Sequence, residues 1–323
     1  RFDWAAQPPA PPRRPGRHLL DRIALAELEP YLDWTPFFAA WELPGRFPEL
    51  LEDPRHGRQA RELHRDALAL LARIREQELL QARGVLALLP AAAEGDDLVV
   101  YAGEDRCRIR ARLPMLRQQR RGRAGETNLC LADFVAPADS GVPDWLGLFA
   151  VTAGHGAAEL AASYEEEGDD YSAILVRALA DRLAEAFAEF LHERVRRDYW
   201  GYEKGPPATP EQLLAEAYRG IRPAPGYPAC PDHGLKRRIF DLLDAERAAG
   251  LRLTGTGAVE PAASVCGLIL AHPKASYFGV GRIGRDQLED YAGRCEADPA
   301  ELARGLGLAV EDSPAQAGSA TTP

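Results

Sequence analysis

The stretch Gly220-Ile-Arg-Pro-Ala-Pro-Gly-Tyr-Pro-Ala-Cys230 combines a guanidinium, a phenol, a thiol and three prolines within eleven residues. Its prolines fix φ and remove backbone donors, which forbids helix and ladder and holds the chain in one irregular path. Rigid irregular loops often hold ligands, and this one can aim the Arg222 guanidinium. Other chemical spacings fare worse. Gly279-Val-Gly-Arg-Ile-Gly284 matches G-x-G-x-x-G, but a dinucleotide fold needs a second parallel strand and an acid about 20 residues on. The chain instead runs into its tail. Cys230 and His233 make half a metal site, and H-E-x-x-H, G-x-S-x-G and P-loop patterns are absent from the sequence. No catalytic triad and no metal site are therefore expected.

The elements that must position Arg222 are legible from periodicity. Leu63, Ala67, Leu70 and Ile74 share one face of a helix over Gln59 to Leu80, and Leu175 to Val195 steps by four along the longest helix. On that second helix Asp181, Glu185 and Glu189 lie opposite the leucines, as a solvated face would. Strands are expected at Val85 to Leu89, Leu98 to Tyr101, Leu129 to Val135, Trp145 to Thr152, Ala263 to Leu270 and Tyr277 to Ile283. Cys107, Ile109, Ala111 and Leu113 alternate with Arg106, Arg108, Arg110 and Arg112, the period of a strand with a wet, arginine-lined face. Helices are expected over Pro210 to Tyr218, Lys236 to Ala249 and Asp286 to Arg294. Strands cluster and helices cluster, so the fold class is α+β rather than alternating α/β.

Composition bounds the rest. The chain has 323 residues, 46% of them apolar, enough for a sizeable core. A net charge of -10 argues against a surface built for nucleic acid. Five scattered cysteines without C-x-x-C signal neither a disulfide framework nor zinc and fit a reducing cytoplasm. No apolar run is long enough for a membrane span. The stretch from Gln7 to Arg17 holds five prolines and can bury almost nothing, so residues 1–17 are expected to be a stiff, extended linker; a folded domain over 18–310 and a flexible tail over 311–323 follow. The lack of an initiating Met makes Arg1 an expected cut point inside something longer.

Tyr31-Leu-Asp-Trp-Thr-Pro-Phe-Phe38, Arg83-Gly-Val85, Asn128-Leu-Cys-Leu-Ala-Asp-Phe-Val-Ala-Pro137, Arg177 to Glu189 and the Gly220 to Cys230 loop together resemble the C-terminal activation module of cobalamin-dependent methionine synthase. The likeness runs from Phe2-Asp-Trp4 to about Gly307. It implies a single C-shaped α+β domain with a twisted antiparallel sheet, not a Rossmann fold, that binds S-adenosylmethionine in an extended groove. It further implies reductive methylation of cob(II)alamin to methylcobalamin with an electron from flavodoxin or an equivalent flavoprotein. The family's cobalamin module carries D-x-H-x-x-G, which Asp53-Pro-Arg-His56-Gly does not match. Cobalamin is thus expected on a domain absent from this chain, and the fragment is expected to bind the methyl donor without turnover. The alternative is a stand-alone S-adenosylmethionine-binding module that docks to or regulates a separate cobalamin protein.

By the same resemblance, Arg222 is the clamp for the ligand's carboxylate and Asp33 an acid for its polar atoms, although Asp33 also suits a helix cap. Ala224 and Gly226 offer backbone groups, and glycine permits close approach. Tyr227 belongs near the sulfonium, and Tyr277 and Phe278 beside the adenosine. Glu185 and Glu216 are weaker candidates for acids near the positive centre. The Arg106 to Arg112 face and the Arg120-Arg121 pair are candidate flavodoxin contacts.

Overall fold

A computed structural model describes residues 2–120, 127–209, 212–213 and 215–311. Of the expected tail only Glu311 is among them; Arg121, and Pro210, Glu211 and Leu214 of the expected helix over Pro210 to Tyr218, lie outside.

Six strands form the main sheet: β1 (Gly16–Ile23), β2 (Gln81–Glu94), β3 (Asp97–Tyr101), β4 (Ile109–Pro114), β5 (Asp144–His155) and β6 (Ser264–Ile269). All are antiparallel in the order β4-β3-β2-β5-β6, with β1 pairing the first half of β2 on the edge that β3 takes over beyond it. Successive strand residues face opposite ways. Leu86 and Leu88 accordingly join one core with Phe149 and Val151, while Val85, Ala87 and Leu89 join a second with Leu146, Leu148 and Ala150. Both faces are covered, which is why β2 reads as an apolar run from Gly84 to Ala93.

The first face carries α1 (Leu25–Leu28), α2 (Trp34–Ala40), α3 (Gly57–Glu76), α4 (Ala157–Glu166) and α5 (Asp170–Arg194). The second carries α6 (Leu235–Leu243) and α7 (Ala245–Ala249). A third small core holds α8 (Arg285–Cys295) beside α9 (Pro299–Leu306). Helices clustered on an antiparallel sheet make this an α+β fold.

Several expectations need correction. Leu129 to Val135 is no strand: Leu131–Phe134 is a 3-10 turn, because Asp133 accepts from Cys130 N at 2.8 Å and caps it. Tyr277 to Ile283 is also irregular except for Ile283–Gly284, which pairs in parallel with Val310–Glu311. Its neighbour is the proline loop, which cannot supply a full ladder; Val280 N still donates to Pro228 O at 2.8 Å. The G-x-G-x-x-G string therefore has no Rossmann unit around it. The four arginines share no face either, since Arg106 has φ 54° and precedes β4. It turns inward and donates to Ala91 O and Asp144 O. Arg110 reaches Leu242 O, and Arg112 pairs with Glu94.

The proline-rich N-terminus is extended, as its composition demands, yet it is not loose. Trp200 Nε1 donates to Ala10 O at 2.9 Å, and Arg13 and Arg14 donate from their amides to Trp200 O and Tyr199 O. Pro12 is buried, Trp4 is 9% exposed, and the Phe2 ring lies 4.1 Å from that of His272. Between Gln7 and Arg17 only Pro12 is buried, as the composition implies; the two aromatics just upstream, Phe2 and Trp4, supply the apolar contact that prolines lack.

Candidate functional site

The proline loop runs along the free edge of β6. Ile221 and Leu270 exchange backbone hydrogen bonds at 3.0 Å, and Leu268 N donates to Pro223 O at 2.9 Å. This close approach depends on Gly267, whose added Cβ would stand 2.6 Å from Pro223 O and 3.0 Å from the Phe149 ring. The sheet edge thus fixes the backbone, and the backbone aims Arg222.

Two adjoining cavities open beside this loop, of about 450 and 790 Å³. Glu185, Glu216, Arg222 and Tyr227 line both, which joins them into one groove. Ala224, Tyr277 and Phe278 line the smaller, with Phe149 and Val265 of the sheet as its apolar floor. Asp33 lines the larger, beside Tyr31, Trp34 and Phe47. Eight of the nine sequence-predicted residues therefore converge on one concavity. Gly226 does not line either one. Its amide donates to Cys230 O at 2.7 Å, its φ is +98°, and an added Cβ would meet the His233 ring. The glycine is needed for the turn rather than for approach to the groove.

Asp33 does cap α2, accepting from Thr35 N at 2.9 Å through Oδ1, while remaining on the groove wall. Tyr277 braces the loop, its hydroxyl accepting from Arg222 N at 3.0 Å. Phe278 packs partly into the core below. Glu185 is close enough to Tyr227 to hold its phenol above the usual range, with burial adding to the effect.

Arg222 is the electrostatic centre. Its Nη2 lies 2.7 Å from Glu189 Oε2, and its Nη1 donates to the Tyr218 hydroxyl at 2.7 Å. Burial alone would lower its pKa, but Glu189 and Tyr218 carry it above the ordinary arginine value, so the guanidinium stays charged. Neither Glu189 nor Tyr218 was singled out from the sequence. The face assigned to solvent is exposed only at Asp181; Glu189 is 8% exposed. The signal was a polar stripe, Glu185, Glu189, His192 and Arg196, continuing at helical spacing into the apolar end of α5.

With that geometry in hand, known proteins give it a context. Residues 24–296 match the family model of the vitamin B12 dependent methionine synthase activation domain. The chain belongs to this family. Among solved structures, it resembles the MetH reactivation domain bound to AdoHcy, with a TM-score of 0.93 and 45% identity over 97% of this chain and 96% of that one. The α+β architecture is that of the methionine synthase reactivation domain. Among the described residues no cluster of three or more potential metal ligands occurs, and no helix is long and apolar enough to cross a membrane.

Proposed function

We propose that the domain, residues 18–310, binds S-adenosylmethionine in the groove beside the proline loop and presents its methyl group for reductive methylation of cob(II)alamin. One observation carries this reading: Arg222, Glu185, Glu216, Tyr227, Tyr277 and Phe278, far apart in sequence, line one cavity. The ligand fits the residues present. Its carboxylate needs a fixed cation, its ammonium and sulfonium need carboxylates, and its adenosine needs apolar or aromatic walls.

Arg222 holds the carboxylate, since its planar fork carries donors beyond those engaged by Glu189 and Tyr218. Glu185 and Glu216 balance the positive end, and Asp33 serves the polar atoms from the opposite wall. Tyr277 and Phe278 flank the adenosine. Gly226 acts by shaping the turn that presents Tyr227. Cobalamin, held by a separate module, supplies the cobalt nucleophile, and flavodoxin or an equivalent flavoprotein supplies one electron. The chain's own contribution is position and charge, so no general base is required. Calorimetric titration tests this: S-adenosylmethionine binds the wild type, while NAD does not. A folded protein that binds no S-adenosylmethionine overturns the reading.

A further inference from the structure

Directly behind the groove lies a group that the proposed chemistry does not use. Arg196 is 0% exposed and sits in a π-helical turn, Val195–Tyr199, that follows α5. Four partners surround its guanidinium. Nε donates to Glu203 Oε2 at 2.7 Å, Nη1 donates to His192 Nδ1 at 3.1 Å, and Nη1 lies 3.7 Å from Glu189 Oε1. Its Cζ lies over the Tyr218 ring, 4.0 Å from the centroid. Burial holds His192 far below its usual pKa, helped by Arg222 and Arg196, so the ring is neutral and its Nδ1 accepts. Tyr218 and Glu189, which Arg196 faces across the ring and at 3.7 Å, are the two that hold Arg222; the Tyr218 hydroxyl donates to Glu189 Oε2 at 3.3 Å as well.

We propose that Arg196 is a positioning residue that orients Arg222 for the ligand's carboxylate, acting through the Tyr218 ring and the Glu189 carboxylate. Glu189 is shared, one oxygen toward each guanidinium. Stacking on Tyr218 fixes the plane from which the hydroxyl meets Arg222, a role that needs a flat cation rather than a point charge. The inference rests on the reading of Arg222 as the carboxylate clamp.

The test compares S-adenosylmethionine with 5′-methylthioadenosine, which keeps the adenosine and lacks the amino-acid end. Arg196→Met, and Arg196→Lys should the first not fold, are each expected to weaken S-adenosylmethionine binding about tenfold while changing methylthioadenosine binding less than about twofold. Tyr218→Phe is expected to weaken it similarly, and either Arg196 variant combined with Tyr218→Phe is expected to be no worse than the weaker-binding single variant. Equal losses for both ligands, or additive losses, overturn the positioning role. A crystal structure of the ligand-free Arg196 variant separates this inference from the functional one. Arg222 leaving Glu189 there supports positioning even if the wild type binds no S-adenosylmethionine; Arg222 unmoved overturns it.

Discussion

Arg222 is held from behind by Glu189 and Tyr218 and braced at its amide by Tyr277, so its guanidinium enters the groove already oriented. Replacing it by Ala removes charge-assisted hydrogen bonds worth roughly 1.5–3 kcal/mol, and S-adenosylmethionine affinity is expected to fall about tenfold or more by calorimetry. Unchanged affinity would remove the clamp from the account. Arg222 was legible because prolines announce a rigid loop in any sequence. Its partners were not: Glu189 has the spacing of a solvated helix position, and only the tertiary approach of Tyr218 and Arg222 makes it buried. Gly226 was legible as a required glycine but for the wrong contact, since the His233 ring that excludes a Cβ there is set by the fold of the turn.

Elements place these residues through close approaches that one atom can spoil. Gly267→Ala would set a Cβ against Pro223 O and the Phe149 ring. A stability loss of about 1–3 kcal/mol is expected in denaturant unfolding, with weaker S-adenosylmethionine binding because the loop leaves the β6 edge. A wild-type midpoint would contradict the tight docking. The N-terminal strap has its own signature. Burial, with Arg219 and Lys274 nearby, pulls the His272 imidazole down to about 4, against an ordinary 6.5. The folded state therefore disfavours the protonated ring: the strap's docking is full above pH 6.5 and weakens as pH falls toward 4. Neighbouring Asp144, pushed up to about 6 by burial, contributes in the opposite sense, so global stability is a poor readout. The protection factors of residues 2–15, exchange corrected for its intrinsic pH dependence, should fall as pH drops over that range and change less in His272→Phe; an unaltered slope would show that another group controls the strap. The long helices and central strands were readable from their periods. Leu129 to Val135 and Tyr277 to Ile283 were not, because a side-chain cap in one and a proline-rich neighbour in the other decide their backbone, and neither leaves a periodic trace.

At the scale of the molecule, a sheet covered on both faces presents its β6 edge to the proline loop, and the groove forms where that loop meets α5 and the segment before α2. Asp33, Glu49, Glu185, Glu189 and Glu216 line it against Arg46, Arg182 and Arg222, an excess of two negative charges. That balance suits a ligand whose sulfonium and ammonium outweigh its carboxylate. Added salt is accordingly expected to weaken S-adenosylmethionine binding more than that of AdoHcy, which lacks the sulfonium charge; equal salt slopes would show that the carboxylates do not act on that centre. Calorimetric titration of the wild type and Arg222→Ala with S-adenosylmethionine bears most directly on the whole account. Saturable one-to-one binding, weakened about tenfold or more by the substitution, is the predicted result; a folded protein that takes up no S-adenosylmethionine, or binds it equally without Arg222, would contradict it.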